Sequence, residues 1–318
     1  MINFLQTVQS RGLILDGAMS TALEKSGVTT NNELWTANAL IHNLQQVYQV
    51  HYQYFQAGAQ LAITDTYQAN LSAFERVGYS QDQAVTFIRS AVQTAQKARD
   101  DFYDQTGNYN FVSGTIGPYG AYLADGSEYR GDYQLSRSEF LAFHLPRLQA
   151  ILQEQPDCIG IETQPQWLEV KTLLDWLQCH APQMPVYVSF TLRDAHTLSS
   201  GTPLQAVIPL LNHNPQVFAV GCNCCAPQLV LPAIQTLTAL TNKDIIVYPN
   251  LGSQYDPVIK KWQPIMPPVD FAQLVPQWYQ AGAHLIGGCC TTYLPEIQKI
   301  THYFKSLGSV SESANCEY

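Results

Sequence analysis

Five of the eight cysteines in this 318-residue chain fall in two short clusters, Gly221-Cys222-Asn223-Cys224-Cys225 and Gly287-Gly288-Cys289-Cys290-Thr291-Thr292. Thiolates are soft ligands. Zinc takes them at about 2.3 Å in a tetrahedron, and three protein ligands leave a fourth position open, as in a catalytic site. Neither C-x-C nor C-C has the C-x2-C spacing of a structural zinc knuckle. Vicinal Cys289 and Cys290 can chelate together if the backbone turns sharply, which the Gly287-Gly288 pair permits. The competing reading is that these cysteines are small apolar side chains packing a core. That reading suits Cys222 and Cys225, and also Cys158 and Cys179, which stand alone in an apolar run and a helix. Cys316 lies in a polar, small-residue terminus and is not expected to be a ligand.

Other polar residues follow short apolar runs. Asp16 and Gly17 follow the first, Thr64, Asp65 and Tyr67 the second, Glu162 and Thr163 the fourth. A carboxylate in such a place either caps the next element or pairs with a cation in a pocket. Glu is a poor cap, so Glu162 favours the pocket, while Asp16 suits both roles. An amino-acid substrate brings a buried ammonium that needs a carboxylate partner. Asp16 and Glu162 can supply one, and backbone N–H groups near Gly17 can meet the substrate carboxylate. The stretch GTIGPYGAYLADGSEYRGDY (114–133) reads as a long loop with turns at Gly117-Pro118 and Asp125-Gly126. Loops of that length are usually lids or binding loops, and the alternative is a solvated insertion. Its tyrosines and acids (Asp125, Glu128, Asp132) suit a cationic ligand. His196 and His213 are given no role.

The elements that must position these groups are eight short apolar runs: Leu13–Leu15, Leu61–Thr64, Phe111–Thr115, Cys158–Ile161, Val186–Phe190, Val217–Val220, Ile245–Tyr248 and His284–Ile286. Segments of helical spacing lie between them, such as Asn43–Phe55 and Gln83–Ala98. Eight alternations without a composition break predict an α/β fold, a single-domain (β/α)8 TIM-type barrel. A doubly wound open sheet is the alternative, weakened because no G-x-G-x-x-G follows the first run. The barrel domain is expected over 1-305, with a flexible C-terminal tail over 306-318. Barrel enzymes place their sites at the C-terminal ends of the strands. The ends of strands six and eight are separated by one strand, and neighbouring strands lie about 4.8 Å apart. Both cysteine loops can therefore reach one metal ion.

The formal net charge of -9 argues against a nucleic-acid partner, which would want a basic stripe. No run approaches 18 apolar residues, so no membrane span is expected. The opening MINFLQTVQSRGLILDG lacks the pattern of a secretory signal. A reducing, cytoplasmic setting follows as the expectation, in which thiols and metal ligands are commoner than disulfides.

At this point the motifs resemble those of the homocysteine S-methyltransferase family, in its S-methylmethionine-using branch. The residues that carry the resemblance are LDGAMSTALEKSG (15–27), ITDTYQAN (63–70), GPYGAYLADGSEYRGDY (117–133), IGIETQP (159–165), SFTLRD (189–194), GCNCC (221–225), VYPNLGSQYD (247–256) and IGGCCTT (286–292). They run through nearly the whole chain. The resemblance implies a (β/α)8 barrel with Zn2+ held by Cys224, Cys289 and Cys290. It implies that Asp16 and Glu162 contact homocysteine, within a substrate-binding set of Asp16, Gly17, Thr64, Glu162 and Asn223. It also implies small-molecule partners only, homocysteine and a sulfonium methyl donor, S-methylmethionine or S-adenosylmethionine. The zinc-bound homocysteine thiolate would attack the sulfonium methyl, with neutral methionine leaving. No general acid or base beyond the metal site is expected. Two positions depart from the family pattern: Thr291 stands where Arg is common, and Leu251-Gly252-Ser253 replaces S-G-E. A non-catalytic zinc or thiol sensor on the same barrel is the alternative function. A zinc hydrolase is disfavoured, since such sites usually use His and carboxylate ligands.

Overall fold

The computed structural model describes residues 3–256, 261–264 and 269–314. Eight parallel strands form one sheet: β1 (Leu13–Ile14), β2 (Leu61–Ile63), β3 (Phe111–Ile116), β4 (Cys158–Gln164), β5 (Val186–Phe190), β6 (Val217–Asn223), β7 (Asp244–Tyr248) and β8 (Ala283–Ile286). Neighbours in the sheet follow chain order, and β1 pairs with β8 through Leu13↔Leu285 and Ile14↔Ile286. A parallel bridge Leu15↔Leu61 joins β1 to β2, with Gln60 N–H donating to the Ile14 carbonyl at 2.7 Å and Asp16 N–H to the Leu61 carbonyl at 3.1 Å. The sheet is therefore closed, which excludes the doubly wound alternative. Each of the eight apolar runs contributes one barrel strand.

The strand sequences are continuous apolar runs because both faces are covered. Every residue of β3, β4 and β5 is buried. Inside the barrel, Leu13, Leu15, Leu61, Phe111, Tyr187 and Ile246 share one cluster with Phe4 and Val8 of the first helix, Phe4–Arg11. The Phe4 ring packs edge-on against Phe111 at 5.1 Å and Phe218 at 5.2 Å, near the starts of their strands. That helix thus plugs the N-terminal mouth and leaves the opposite mouth for a site.

The outer helices carry clear start and stop chemistry. Helix Gln81–Thr106 opens with a capping box of Ser80 and Gln83 and stops at Gly107, whose φ of 72° suits the left-handed end position. Helix Arg137–Gln153 opens with the same device, Ser136 and Glu139. The segment expected as Asn43–Phe55 is the helix Leu44–Ala57.

Several details differ from the sequence expectation. Strands β4 and β6 run further than their apolar runs, so Glu162, Thr163 and Asn223 lie within strands. The polar side chains still point into a lined interior, which apolarity alone cannot reveal. The 114–133 stretch is folded, with a helical turn Tyr119–Leu123 and a 3-10 turn Ser127–Tyr129, and Ser127, Glu128 and Tyr133 are buried. It is no solvated insertion. Cys179 is exposed on helix Trp167–His180, so it packs no core. The final helix, Leu294–Ala314, continues past residue 305 into the stretch expected as a tail, so that boundary does not coincide with an element's end. Cys316 lies outside the described residues.

Candidate metal centre and substrate cavity

Cys224 directly follows β6, and Cys289 and Cys290 lie three and four residues past β8, on either side of β7. Their Sγ atoms all lie within 4.8 Å of one another. Three sulfurs bound tetrahedrally at about 2.3 Å would be separated by about 3.8 Å. The donor set therefore fits a tetrahedral thiophilic metal after small side-chain rotations.

The backbone reaches this arrangement through strain rather than through the glycines alone. Cys224 and Thr291 have φ of 48° and 70°, while Gly287 and Gly288 are absent from the positive-φ set. The turn expected of the glycine pair is made by Thr291. Gly287 is needed for space, since a Cβ there would lie 2.5 Å from the Leu15 Cβ. Six described non-glycine residues have positive φ, and five of them (Trp35, Ala124, Thr163, Cys224 and Thr291) line the same cavity. Such strain persists only where surrounding structure fixes it, and it collects at functional sites. Here Cys289 N–H donates to the Pro249 carbonyl at 2.8 Å, Cys224 N–H to the Tyr248 carbonyl at 3.0 Å, and Leu251 N–H to Thr291 Oγ1 at 3.2 Å.

The three thiols are unequal. Hydrogen bonds from Cys289 and then Cys290 hold the Cys224 thiol well below the usual range, against the opposing effect of burial. The Tyr129 hydroxyl, 3.2 Å from the Cys224 sulfur, adds to this. Cys224 in turn pushes the Cys289 and Cys290 thiols up. Bringing Cys289 and Cys290 to the thiolate form as well, beside Cys224 and close to Asp16 and Glu162, would take a compensating cation. Cys222 and Cys225 face each other at 3.9 Å in the apolar layer outside the strands, as expected of packing residues.

The cysteines border a cavity of about 610 Å³ at the C-terminal mouth of the barrel. That volume suits small-molecule substrates. Asp16, Gly17, Thr64, Glu162 and Asn223 all line it together with the three cysteines. The Ile63 N–H donates to Asp16 Oδ2 at 2.9 Å, and the Tyr248 hydroxyl donates to Glu162 Oε2 at 2.9 Å. Burial, then the Cys289 charge, pushes the Glu162 carboxyl up to about 8. Burial also raises the Asp16 carboxyl well above its ordinary range, and Glu162 adds to it. Gly17 admits no side chain, since a Cβ would lie 2.8 Å from the Tyr54 hydroxyl.

Thr64 and Asn223 are already occupied by the protein. The Thr64 hydroxyl sits 2.7 Å from that of Thr66 and accepts from Thr115 N–H at 3.2 Å. The Asn223 carbonyl accepts from Thr163 N–H at 2.8 Å and Ser189 Oγ at 2.7 Å, and its amide donates to Thr163 Oγ1 at 2.8 Å. Asn223 thus clamps the strained Thr163 (φ 58°) beside Glu162.

Sequence reasoning missed a second tier. Trp35, Tyr248 and Trp262 join Tyr67 and, from the loop's tyrosines, Tyr129 as aromatic walls of the cavity. Beneath the 114–133 loop lies a buried network. Glu169 accepts from Tyr119 N–H at 2.6 Å, from the Tyr133 hydroxyl at 2.5 Å and from His144 Nε2 at 2.6 Å. Arg147 donates to His144 Nδ1 and to the Gly117 carbonyl, each at 2.8 Å. Arg147 therefore fixes a neutral imidazole with its proton on Nε2, and burial, the first cause, lowers the His144 basicity. Of the loop acids, only Glu128 lines the cavity; Asp125 and Asp132 pair with Arg130 at 3.6 and 2.9 Å.

Among the described residues no helix is long and apolar enough to cross a membrane. The family model for homocysteine S-methyltransferase matches residues 13–304. The chain is 45% identical over 284 residues to the homocysteine S-methyltransferase of Escherichia coli (strain K12), covering 88% of this chain and 91% of that one. It is 39% identical over 300 residues to homocysteine S-methyltransferase YbgG of Bacillus subtilis (strain 168), covering 93% and 95%. The fold superposes on the crystal structure of the homocysteine methyltransferase MmuM from Escherichia coli, metallated form, with a TM-score of 0.85 and 40% identity over 94% of this chain and 99% of that one. With the barrel closed, three cysteines gathered at its mouth and relatives matched along almost their whole length, this chain belongs to the homocysteine S-methyltransferase family.

Proposed function

We propose that the chain is a zinc enzyme that transfers a methyl group from S-methylmethionine to homocysteine, giving methionine, in the cytoplasm and without nucleic-acid or membrane partners. The observation that carries this reading is the all-thiolate donor set of Cys224, Cys289 and Cys290 opening onto a substrate-sized cavity. Cys224, Cys289 and Cys290 would hold the zinc, which would supply the acidity that turns a substrate thiol into a thiolate at neutral pH. Such a site suits thiolate chemistry better than water activation, and family membership removes the sensor reading.

Methyl transfer from a sulfonium to a thiolate breaks one C–S bond, makes another and leaves a neutral thioether. No proton moves at the reacting carbon, so the chain's task is positioning and exclusion of water. Asp16 and Glu162 pair with the homocysteine ammonium, which relieves the cost of two buried, unpaired carboxylates. Backbone N–H groups near Gly17 meet its carboxylate. Thr64 and Asn223 keep this wall in place. The aromatic rings of Trp35, Tyr67, Tyr129 and Trp262 offer π-faces to a sulfonium. The hydrogen bond to Cys224 from Tyr129 tempers the negative charge of the sulfur cluster.

The test is metal content with methionine formation. Wild type should bind one zinc per chain and turn over S-methylmethionine faster than S-adenosylmethionine. Cys224→Ala, Cys289→Ala and Cys290→Ala should each lose zinc and activity together. Any one of them retaining both would remove that residue from the ligand set.

A further inference from the structure

Six carboxylates line the cavity (Asp16, Glu24, Glu33, Asp65, Glu128 and Glu162) against one lining cation, Lys25, among the described residues. Asp16 and Glu162 stand beside the cysteines and are committed to homocysteine in the reading above. Glu128 has no such commitment. Its side chain is buried, with 8% of its surface exposed, and its Oε2 has no hydrogen-bond partner. Arg130, the nearby cation, is engaged by Asp125 and Asp132.

The Glu128 backbone is rigidly held. Thr191 Oγ1 donates to its carbonyl at 2.9 Å, and Ser127 N–H donates to Asp125 Oδ1 at 2.9 Å. Gly120 makes room for it, since a Cβ there would lie 2.7 Å from Glu128 N. Glu128 immediately precedes Tyr129, whose hydroxyl touches Cys224. Its charge also bears on Tyr67 and Tyr129, two of the aromatic walls. A carboxylate desolvated and immobilised in this way is costly unless a ligand supplies the missing positive group.

We propose that Glu128 binds the α-ammonium of the methyl donor, so that the second substrate is recognised as an amino-acid sulfonium. This rests on the donor class given above and assigns its subsite. The choice of ammonium over sulfonium follows from the charge balance. The sulfonium loses its charge as the C–S bond breaks, so a carboxylate against it would stabilise the ground state more than the transition state and slow the reaction. The ammonium keeps its charge throughout, so pairing with it is uniform binding, visible in KM more than in kcat. Asp65 also has an unpartnered oxygen, Oδ2, but Thr36 donates a hydrogen bond to its carboxylate and no ionisable neighbour perturbs it. Glu128, unlike Asp65, acts electrostatically on two aromatic walls of the cavity, Tyr67 and Tyr129.

The test compares S-methylmethionine with N-acetyl-S-methylmethionine, which lacks the positive nitrogen, as donors for the zinc-loaded enzyme. Glu128→Gln should raise the KM for S-methylmethionine at least about tenfold, with a much smaller change in kcat. Its zinc content and homocysteine KM should match wild type. The preference for the free amino acid over its N-acetyl form should collapse in Glu128→Gln and persist in Glu128→Asp, which keeps the charge. A donor KM within twofold of wild type, or an unchanged preference, would overturn the assignment. So would Asp65→Asn producing the donor effect in place of Glu128→Gln. If wild type makes no methionine from S-methylmethionine, the donor reading itself falls. If it does and Glu128→Gln behaves identically, only the subsite falls.

Discussion

At the scale of single residues, the site is built from groups that are costly in isolation. Asp65 is the cleanest case, because only burial and one Thr36 hydrogen bond act on it, and burial pushes its carboxyl up to about 7. In the unfolded chain a carboxyl of this type titrates near 4. The folded chain therefore holds this proton over roughly pH 4 to 7 while the unfolded chain has released it. Stability from this position is highest below pH 4, falls as pH rises to about 7, and then levels. Asp65→Asn does not titrate, so its melting temperature should match wild type near pH 4 and exceed it increasingly up to pH 7. A difference that stays flat across that range would mean the carboxyl does not carry the raised affinity. The carboxylates Asp16 and Glu162 were legible in the sequence because each sits at the end of an apolar run, where charge has no packing role. Glu128 was legible only as one acid among three in a loop. What separates it from Asp125 and Asp132 is the turn that directs it inward while Arg130 takes the other two. Such a sorting depends on contacts that spacing does not encode.

At the scale of elements, all eight strands could be read from the sequence because burial on both faces makes parallel barrel strands into unbroken apolar runs. Their ends were less legible. Glu162, Gln164 and Asn223 remain within the strands although they are polar, with Thr163 (φ 58°) interrupting the β4–β5 register, because Ser189, Thr163 and Asn223 satisfy one another across β4, β5 and β6. The loop after β3 was recognisable by its length, but its support was not. Glu169, His144 and Arg147 lie on two outer helices and meet Tyr119, Tyr133 and Gly117 only after the chain has folded. This network holds the turn that carries Glu128 and Tyr129. Glu169→Ala would leave His144 Nε2, Tyr119 N–H and the Tyr133 hydroxyl without an acceptor, at about 1–3 kcal/mol for each group that stays dry. The variant should melt several degrees lower and show a raised donor KM, while its metal content stays near wild type, because the cysteines are held separately from β6 and β8. Calorimetry with donor kinetics checks this. Loss of metal together with donor affinity would show that the loop and the metal centre are one unit.

At the scale of the whole molecule, the cysteine triad is a clip across the barrel's open mouth. Its sulfurs come from the ends of β6 and β8 and straddle β7, while the helix Phe4–Arg11 closes the other mouth with apolar side chains. On the proposed function the two ends are stabilised by different physics, hydrophobic burial below and metal ligation above. A ligand that binds only the folded chain adds about 4 kcal/mol when present at a thousand times its dissociation constant. For a domain of this size that corresponds to a melting shift on the order of 5–10 °C. Stripping the metal with a strong chelator should lower the melting temperature by that amount, and restoring one equivalent of zinc should recover it. The loss should also be local. Hydrogen exchange should quicken at 222–225, 248–253 and 286–293, whose backbone bonds knit the three strand ends together, and remain slow in β3, β4 and the Phe4–Arg11 plug. Cys290→Ser should melt like the chelated wild type and respond little to chelator. An equal chelator effect in wild type and Cys290→Ser would place the stabilising metal elsewhere, and exchange that quickened evenly around the barrel would mean that the two ends do not melt independently.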